Sequence, residues 1–254
     1  MNNYMNLREG KDNQLFNQIA SKYGRKDIVP SSSIAREFQL FSLINFIENK
    51  FGKKKFDTIL EVGCGVGASS KYLEGLYNNY IGIDYSKEFI ELANQRYSKA
   101  NVEYYCSNIK ELKIEKVPDL ILGIGVLHHI SDIKKAVVGL QKLSTNKTIY
   151  AFIEPNSENF IIQMMRVIRT KVDSSYSTDQ IFFSRKELEA IFAENGFNSV
   201  TTKYEGYLSP PFAQVILRPQ FLFKVLSKFS IKIDGYIQKH FNSSIAWNIM
   251  VVSS

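Results

Sequence analysis

The sequence predicts a three-layer α/β domain built on a mostly parallel sheet. Short apolar runs rich in Ile, Val, Leu and Tyr alternate with helix-like patterns through the centre of the chain, as strand-helix-strand units do. Residues 58–67 run from an apolar strand carrying one carboxylate, Glu61, into three alternate glycines, Gly63, Gly65 and Gly67. A second apolar run, Ile81-Gly82-Ile83, ends on an acidic residue, Asp84.

Taken in order, residues 12–26 form a first candidate helix, with Phe16, Ile19, Ala20 and Tyr23 on one face and Gly24 near its end. Ile34, Phe38, Phe41, Ile44 and Ile47 then recur at helical spacing, Leu40, Leu43 and Phe46 widen the stripe, and Gly52 ends it. These helices, within residues 1–56, are expected to cover the sheet. Strands are expected at 57–62, 80–84, 102–106, 119–123, 148–153, 199–204 and 245–252. Ser86 reads as the N-cap of a helix over 87–97, and Asp132 as the opening of one running to Leu143. In Ser184-Arg185-Lys186-Glu187 a serine and a glutamate three residues on make a capping box. Leu188, Ile191 and Phe192 supply that helix with an apolar face, and Gly196 with a stop. The organisation is one domain over 1–254: a core at 57–204, an insertion at 205–243, and a final strand within 244–254.

At 254 residues, 44% hydrophobic and 22% charged, the chain is long enough to bury a substantial core. No apolar run approaches the roughly 18 residues of a membrane span. The N-terminus has neither the basic start nor the apolar core of an export signal, so a cytoplasmic location is expected. Cys64 and Cys106 are too few for a disulfide framework, and no metal site is expected. The net charge of +7 is concentrated toward the C-terminus, where Arg218, Lys224, Lys228, Lys232 and Lys239 face Asp234 alone.

Glycines let a ligand approach backbone where any Cβ would collide, and an acidic residue ending the next strand can accept hydrogen bonds from both ribose hydroxyls. The pair therefore reads as a nucleotide-type cofactor site, for which two cofactor classes compete. Gly63, Gly65 and Ala68 satisfy the pattern G-x-G-x-x-[GA], which allows a nicotinamide dinucleotide and an NAD(P)-dependent oxidoreductase. Glu61 weighs against it, because a carboxylate repels a diphosphate and attracts a sulfonium or an amino group.

With these residues the sequence resembles the class I S-adenosylmethionine-dependent methyltransferases, over residues 57–200. Glu61 to Gly67 matches the family's first motif, which implies that Gly63, Cys64 and Gly65 lie against the methionine part of the cofactor. Asp84 matches the residue on the ribose, with Tyr85 beside the adenine. In Cys106-Ser107-Asn108-Ile109, Asn108 falls where the family often has an aspartate contacting the adenine amino group; asparagine still accepts through its carbonyl oxygen. Asp119 to Ile130 is similar to the fourth strand and its loop, so that Gly123 and Gly125 meet the methionine group. Ala151 to Asn156 is similar to the fifth strand, and the helix ending at Asn195-Gly196-Phe197 to the one before the sixth. The resemblance implies a Rossmann-like seven-stranded sheet with an antiparallel last strand. It also implies S-adenosylmethionine as cofactor, bound by Glu61, Gly63, Cys64, Gly65, Asp84, Tyr85, Ser107, Asn108, Ile109, Gly123 and Gly125.

The implied activity is methyl transfer to an oxygen or carbon of a small molecule on a lipid-like, quinone-like, sugar or secondary-metabolite scaffold. A non-catalytic cofactor-binding member of the same fold is the alternative within the family. Nucleic acid is not an expected partner, because Gly123-Ile124-Gly125-Val126 stands where many amino-methylating nucleic-acid enzymes carry Asp/Asn-Pro-Pro-aromatic. A general base is needed only when the acceptor must lose a proton, and His128, His129 and Glu154 are the candidates. One of the adjacent histidines is expected to satisfy local hydrogen bonds, and Glu154 equally suits a helix cap or a pair with Arg166 or Arg169. Tyr23 and Arg36 are placed either over the cofactor carboxylate or in packing. The apolar stretch from Gly206 to Phe241, punctuated by Pro210, Pro211 and Pro219, reads as a lid, as an acceptor pocket, or at 212–230 as a membrane-surface helix.

Overall fold

Apolar strands that are buried on both faces dictate the centre of the molecule. The computed structural model describes residues 2–109, 112, 114–172 and 180–254, with the side chains of these outside 2–8 and 169–172. Among the described residues β1 (Phe56–Val62), β2 (Tyr77–Asp84), β3 (Val102–Cys106), β4 (Leu120–Ile124), β5 (Ile149–Pro155), β6 (Thr201–Glu205) and β7 (Asn248–Ser253) form one sheet. Its order is β3-β2-β1-β4-β5-β7-β6. β7 runs antiparallel to β5 and β6 on either side of it, and the remaining pairs are parallel.

The helices are α1 (Asn2–Gly24), α2 (Pro30–Phe51), α3 (Ala68–Tyr72), α4 (Lys87–Tyr97), α5 (Ile133–Gln141), α6 (Phe160–Val172), α7 (Arg185–Glu194), α8 (Pro210–Gln214) and α9 (Gln220–His240). Successive strand residues feed opposite cores, as the two-residue period of a strand requires. Ile59, Leu120, Leu122 and Ala151 pack with Leu40, Leu43, Ile44 and Ile47 of α2 and with Ile90 of α4. Leu60, Ile121 and Phe152 pack with Val137 and Leu140 of α5 and Leu188 and Phe192 of α7. Leu43, Ile44 and Ile47 are fully buried, and each contributes about 1.5–3 kcal/mol of apolar burial.

Local signals set several element ends. Ser86 accepts the Phe89 N–H and Asp132 the Lys135 N–H. Both halves of the Ser184–Glu187 capping box form. Gly52, at φ +67°, ends α2 by donating its N–H to Glu48 O at 2.8 Å. Other ends move from their expected positions. α1 begins ten residues before 12, and α2 starts at Pro30, whose missing N–H suits a first helical turn. β2 begins at Tyr77 because Phe56 pairs there, and β6 begins at Thr201 after Ser199 turns through φ +53°. Helix α6 has no sequence-based counterpart. The insertion folds as α8 and α9, both packed on α2.

Connections leave β1 toward β2 on one side, while β4 pairs on the other. Strand order reverses there, and open parallel sheets bind ligands in the crevice at such a point.

Candidate active site

The three glycines after β1 serve different purposes. All take positive φ: Gly63 at +68°, Gly65 at +52° and Gly67 at +80°. A Cβ on Gly63 would stand 2.6 Å from Val126 Cγ2, and one on Gly67 would stand 2.7 Å from the Tyr104 ring, so both are required by packing. A Cβ on Gly65 would meet nothing within 4 Å. That open space belongs to a cavity of ≈680 Å³ at the C-terminal ends of β1, β2 and β4.

Glu61, Gly63, Cys64, Gly65, Asp84, Tyr85, Gly125, His128 and His129 all border this cavity. Gly123, Ser107, Asn108 and Ile109 lie outside its wall. Gly123 is packed under Val126 and Phe152, Ile109 is buried in the core beside Ile83, and Ser107 donates its N–H to Asp84 O at 3.0 Å. Asn108 is half-buried.

Asp84 is 7% exposed. Its Oδ2 accepts the Gly65 N–H and its Oδ1 the Ser86 N–H, both at 2.9 Å. A carboxylate offers about four acceptor sites, and with the Tyr85 N–H also engaging it Asp84 retains acceptor capacity for a ligand hydroxyl. Burial pushes the Asp84 pKa up to about 6, against the lowering effect of those backbone donors. Glu61 is also buried. Its Oε1 accepts from Ser69 Oγ at 2.7 Å and its Oε2 from the Tyr80 hydroxyl. Burial carries its pKa to about 7, again against those hydrogen bonds. Two carboxylates on one wall make a poor seat for a diphosphate and a good one for ribose hydroxyls and a cationic group. The open cradle at Gly65 and the acceptor capacity of Asp84 thus fit an adenosyl sulfonium better than a nicotinamide dinucleotide.

Aromatic rings close the far side. Phe16 of α1 meets Tyr85 edge to face at 6.2 Å and His129 at 5.1 Å between centroids. Polar ties hold α1 there: Asp12 Oδ2 lies 3.0 Å from His129 Nδ1, Asn17 Oδ1 accepts from Ser86 Oγ at 2.6 Å, and Glu9 Oε1 accepts the Ser131 N–H at 3.2 Å.

The three base candidates separate. Glu154 is fully buried and does not border the cavity. Its Oε1 accepts the N–H groups of Val126 and Leu127 at 3.0 and 2.8 Å, and its Oε2 accepts that of His128 at 3.2 Å. It therefore caps the short 3₁₀ turn Leu127–His129. Its Oε2 is also 2.8 Å from His128 Nδ1. Burial lifts the Glu154 pKa to about 7 in spite of the three backbone donors. Arg166 donates to Asn156 O at 2.9 Å and lies over the Phe182 ring, while the side chain of Arg169 is outside the described residues. His129 is pushed down to about 4 by burial and by His128, which leaves it a weak base near neutrality. Arg36 and Tyr23 both border the cavity, with Arg36 held by Asp27 Oδ1 at 2.6 Å and by Ala213 O at 3.1 Å.

Residues 60–151 match the methyltransferase domain family, a span that holds Glu61, the glycine turn, Asp84 and both histidines. Residues 60–151 thus carry the match to a methyltransferase domain, in line with the resemblance to the class I S-adenosylmethionine-dependent methyltransferases. The chain is 26% identical over 156 residues to a malonyl-[acyl-carrier protein] O-methyltransferase of Bacillus anthracis, covering 59% of this chain and 58% of that one. It is 26% identical over 150 residues to a ubiquinone biosynthesis O-methyltransferase of Pelagibacter ubique, covering 54% and 57%. The chain thus spans less than three-fifths of the length of these relatives. Among solved structures, a possible histamine N-methyltransferase from Thermotoga maritima shares its fold at TM-score 0.67 and 15% identity, covering 95% of this chain and 98% of that one. A plantazolicin methyltransferase in complex with SAH does so at 0.64 and 17%, covering 99% and 96%.

Sequence reasoning did not find Asp12, Phe16 or Ala213 as parts of this site. The apolar face of α1 carried the only signal for Phe16. No helix among the described residues is long and apolar enough to cross a membrane.

Proposed function

We propose that this chain transfers a methyl group from S-adenosylmethionine to an oxygen or carbon of a small-molecule acceptor. The observation that carries the reading is Asp84, which keeps acceptor capacity on the wall of the cavity that Gly65 leaves open. When bound, the cofactor supplies a methyl already activated by its positive sulfur. Asp84 takes the ribose hydroxyls, the Gly63–Gly65 and Gly125 backbone lines the methionine part, and Tyr85 with Phe16 flanks the adenine.

His128 is assigned the proton. Glu154 holds Nδ1, which fixes the neutral ring with Nε2 as its basic nitrogen, and the turn that carries it is pinned by the same carboxylate. Glu154 acts through His128 as a positioning residue. Both named relatives are O-methyltransferases, which favours an oxygen acceptor over carbon. Lys22, Lys26 and Arg166 on the cavity wall favour an acceptor with an anionic or strongly polar end, and Val215 and Ile216 an apolar remainder. The insertion, through Ala213–Ile216, serves as the acceptor wall.

Calorimetry with S-adenosylhomocysteine and NADH in parallel tests the cofactor: binding of the first alone is expected, and tight binding of NADH alone overturns the reading. S-adenosylhomocysteine release is then followed over a panel of hydroxylated and carboxylated acceptors. Cofactor binding with no turnover on any of them identifies a non-catalytic member of the fold.

A further inference from the structure

Helix α9 is inside out. Its buried positions, Ser227, Ser230, Asp234 and Gln238, are polar and recur at steps of three and four. They form the face that packs toward α2, where Ser227 Oγ donates to Ser31 O at 2.7 Å. Asp234 on the same face accepts the N–H groups of Leu208 and Ser209, each at 2.8 Å. The opposite face is apolar and in water. Phe221 is 79% exposed and Phe229 62%, with Leu222, Val225, Leu226 and Tyr236 exposed beside them.

On a helix of 3.6 residues per turn, Val225, Phe229 and Tyr236 fall on one stripe opposite Ser227 and Asp234. Lys224, Lys228, Lys232 and Lys239 fall together along one border of that stripe, and all four are exposed. A packed lid has the reverse pattern, with its apolar side turned inward. A second copy covering the stripe with its own α9 would offer the lysine row no acidic partner, because the sole acid of α9, Asp234, is buried. An anionic bilayer satisfies both features, taking the apolar side chains into the acyl boundary and the ammonium groups at lipid phosphates.

We propose that α9 docks this chain on an anionic lipid surface, lying parallel to it with Phe221, Val225 and Phe229 inserted. Ala213–Ile216 of the cavity wall lead directly into α9, so docking brings that wall to the bilayer.

Co-sedimentation of the full chain with phosphatidylcholine vesicles, with and without phosphatidylglycerol, tests this without reference to activity. Wild type is expected to pellet with the mixed vesicles and to stay in solution with phosphatidylcholine alone. Phe221→Glu/Phe229→Glu and, separately, Lys224→Gln/Lys228→Gln are each expected to weaken pelleting by about tenfold or more. Circular dichroism and light scattering on the same samples check folding and oligomeric state; the lysine variant keeps good helix formers should the glutamates disturb the helix. Wild type that stays in solution with both vesicles overturns the proposal, as does pelleting that neither variant changes. A wild-type dimer that Phe221→Glu/Phe229→Glu splits, with no vesicle binding, assigns the face to a second copy instead.

Discussion

Glu154 Oε2 lies 2.8 Å from His128 Nδ1, and the same side chain accepts the backbone N–H groups of Val126, Leu127 and His128. One buried carboxylate thus sets both the ring and the turn that carries it. Glu154→Gln places an amide NH₂ where one carboxylate oxygen faced two N–H groups. It is expected to lower kcat about 10- to 100-fold, in the range seen when the orienting partner of a histidine is lost. Affinity for S-adenosylhomocysteine should change far less. Steady-state kinetics beside calorimetry decides it: an unchanged kcat removes His128 and Glu154 from the chemistry.

Asp84→Ala is expected to weaken S-adenosylhomocysteine binding by about 1–3 kcal/mol, the loss of charged hydrogen bonds in a buried site. Hydroxyl donors favour the ionised carboxylate, whose pKa sits at about 6. Wild-type affinity should therefore fall as pH drops through that value, and the Asp84→Asn variant should lose the pH dependence. Calorimetric titration across that range supplies the comparison.

Gly63 and Gly65 should fail in different ways. A Cβ at Gly63 collides with Val126, so Gly63→Ala is expected to cost fold stability and lower the melting temperature. At Gly65 the space is open, so Gly65→Val is expected to cost only about 1–2 kcal/mol of backbone strain while filling the ligand cradle. Melting curves with and without S-adenosylhomocysteine separate the two: Gly65→Val should lose most of the ligand-induced shift.

Four buried acids give stability an inverted pH dependence. Folding raises Glu61, Glu154 and Glu205 from 4.5 to about 7 and Asp84 from 3.8 to about 6, all through burial. Between those limits the folded chain holds protons that the unfolded chain releases, so their stabilising contribution is present at low pH and lost as pH rises through about 7. His129, lowered from 6.5 to about 4, opposes this below 6.5 only. Denaturant unfolding of the ligand-free protein should show stability declining from about pH 6.5 to about pH 7.5. A rise across that interval contradicts the assignment.

Parallel strands with both faces buried spell themselves as continuous apolar runs, which is why β1, β4 and β5 were legible to within two residues; β3, an edge strand exposed at Glu103 and Tyr105, was marked by its β-branched and aromatic residues. Tyr77-Asn78-Asn79 extends β2 at the open bottom of the sheet, where half-exposed side chains erase the pattern. Helix α6 carries an amphipathic pattern, Gln163, Arg166 and Thr170 recurring at helical spacing, that the strand-centred reading passed over; its apolar side is largely exposed, Phe160 and Ile161 included. The glycine turn and Asp84 announced the cofactor half of the site because their chemistry is local. Asp12 against His129, 117 residues away, left no such trace. Nor did the role of Glu154: a lone carboxylate ending an apolar strand reads alike as a base, a cap or an ion-pair partner until its neighbours are known.

The position of β7 orders assembly. It follows every other strand in the chain yet lies between β5 and β6, so β6 has no neighbour until β7 arrives. β1 to β4 pair among themselves from residues close in sequence, and such contacts form early. The half of the sheet that carries Gly65 and Asp84 is therefore built first, while β5 waits with a bare edge through the making of α6 to α9. That interval, during which an unpaired strand is open to other chains, is where the nascent protein is most prone to aggregate.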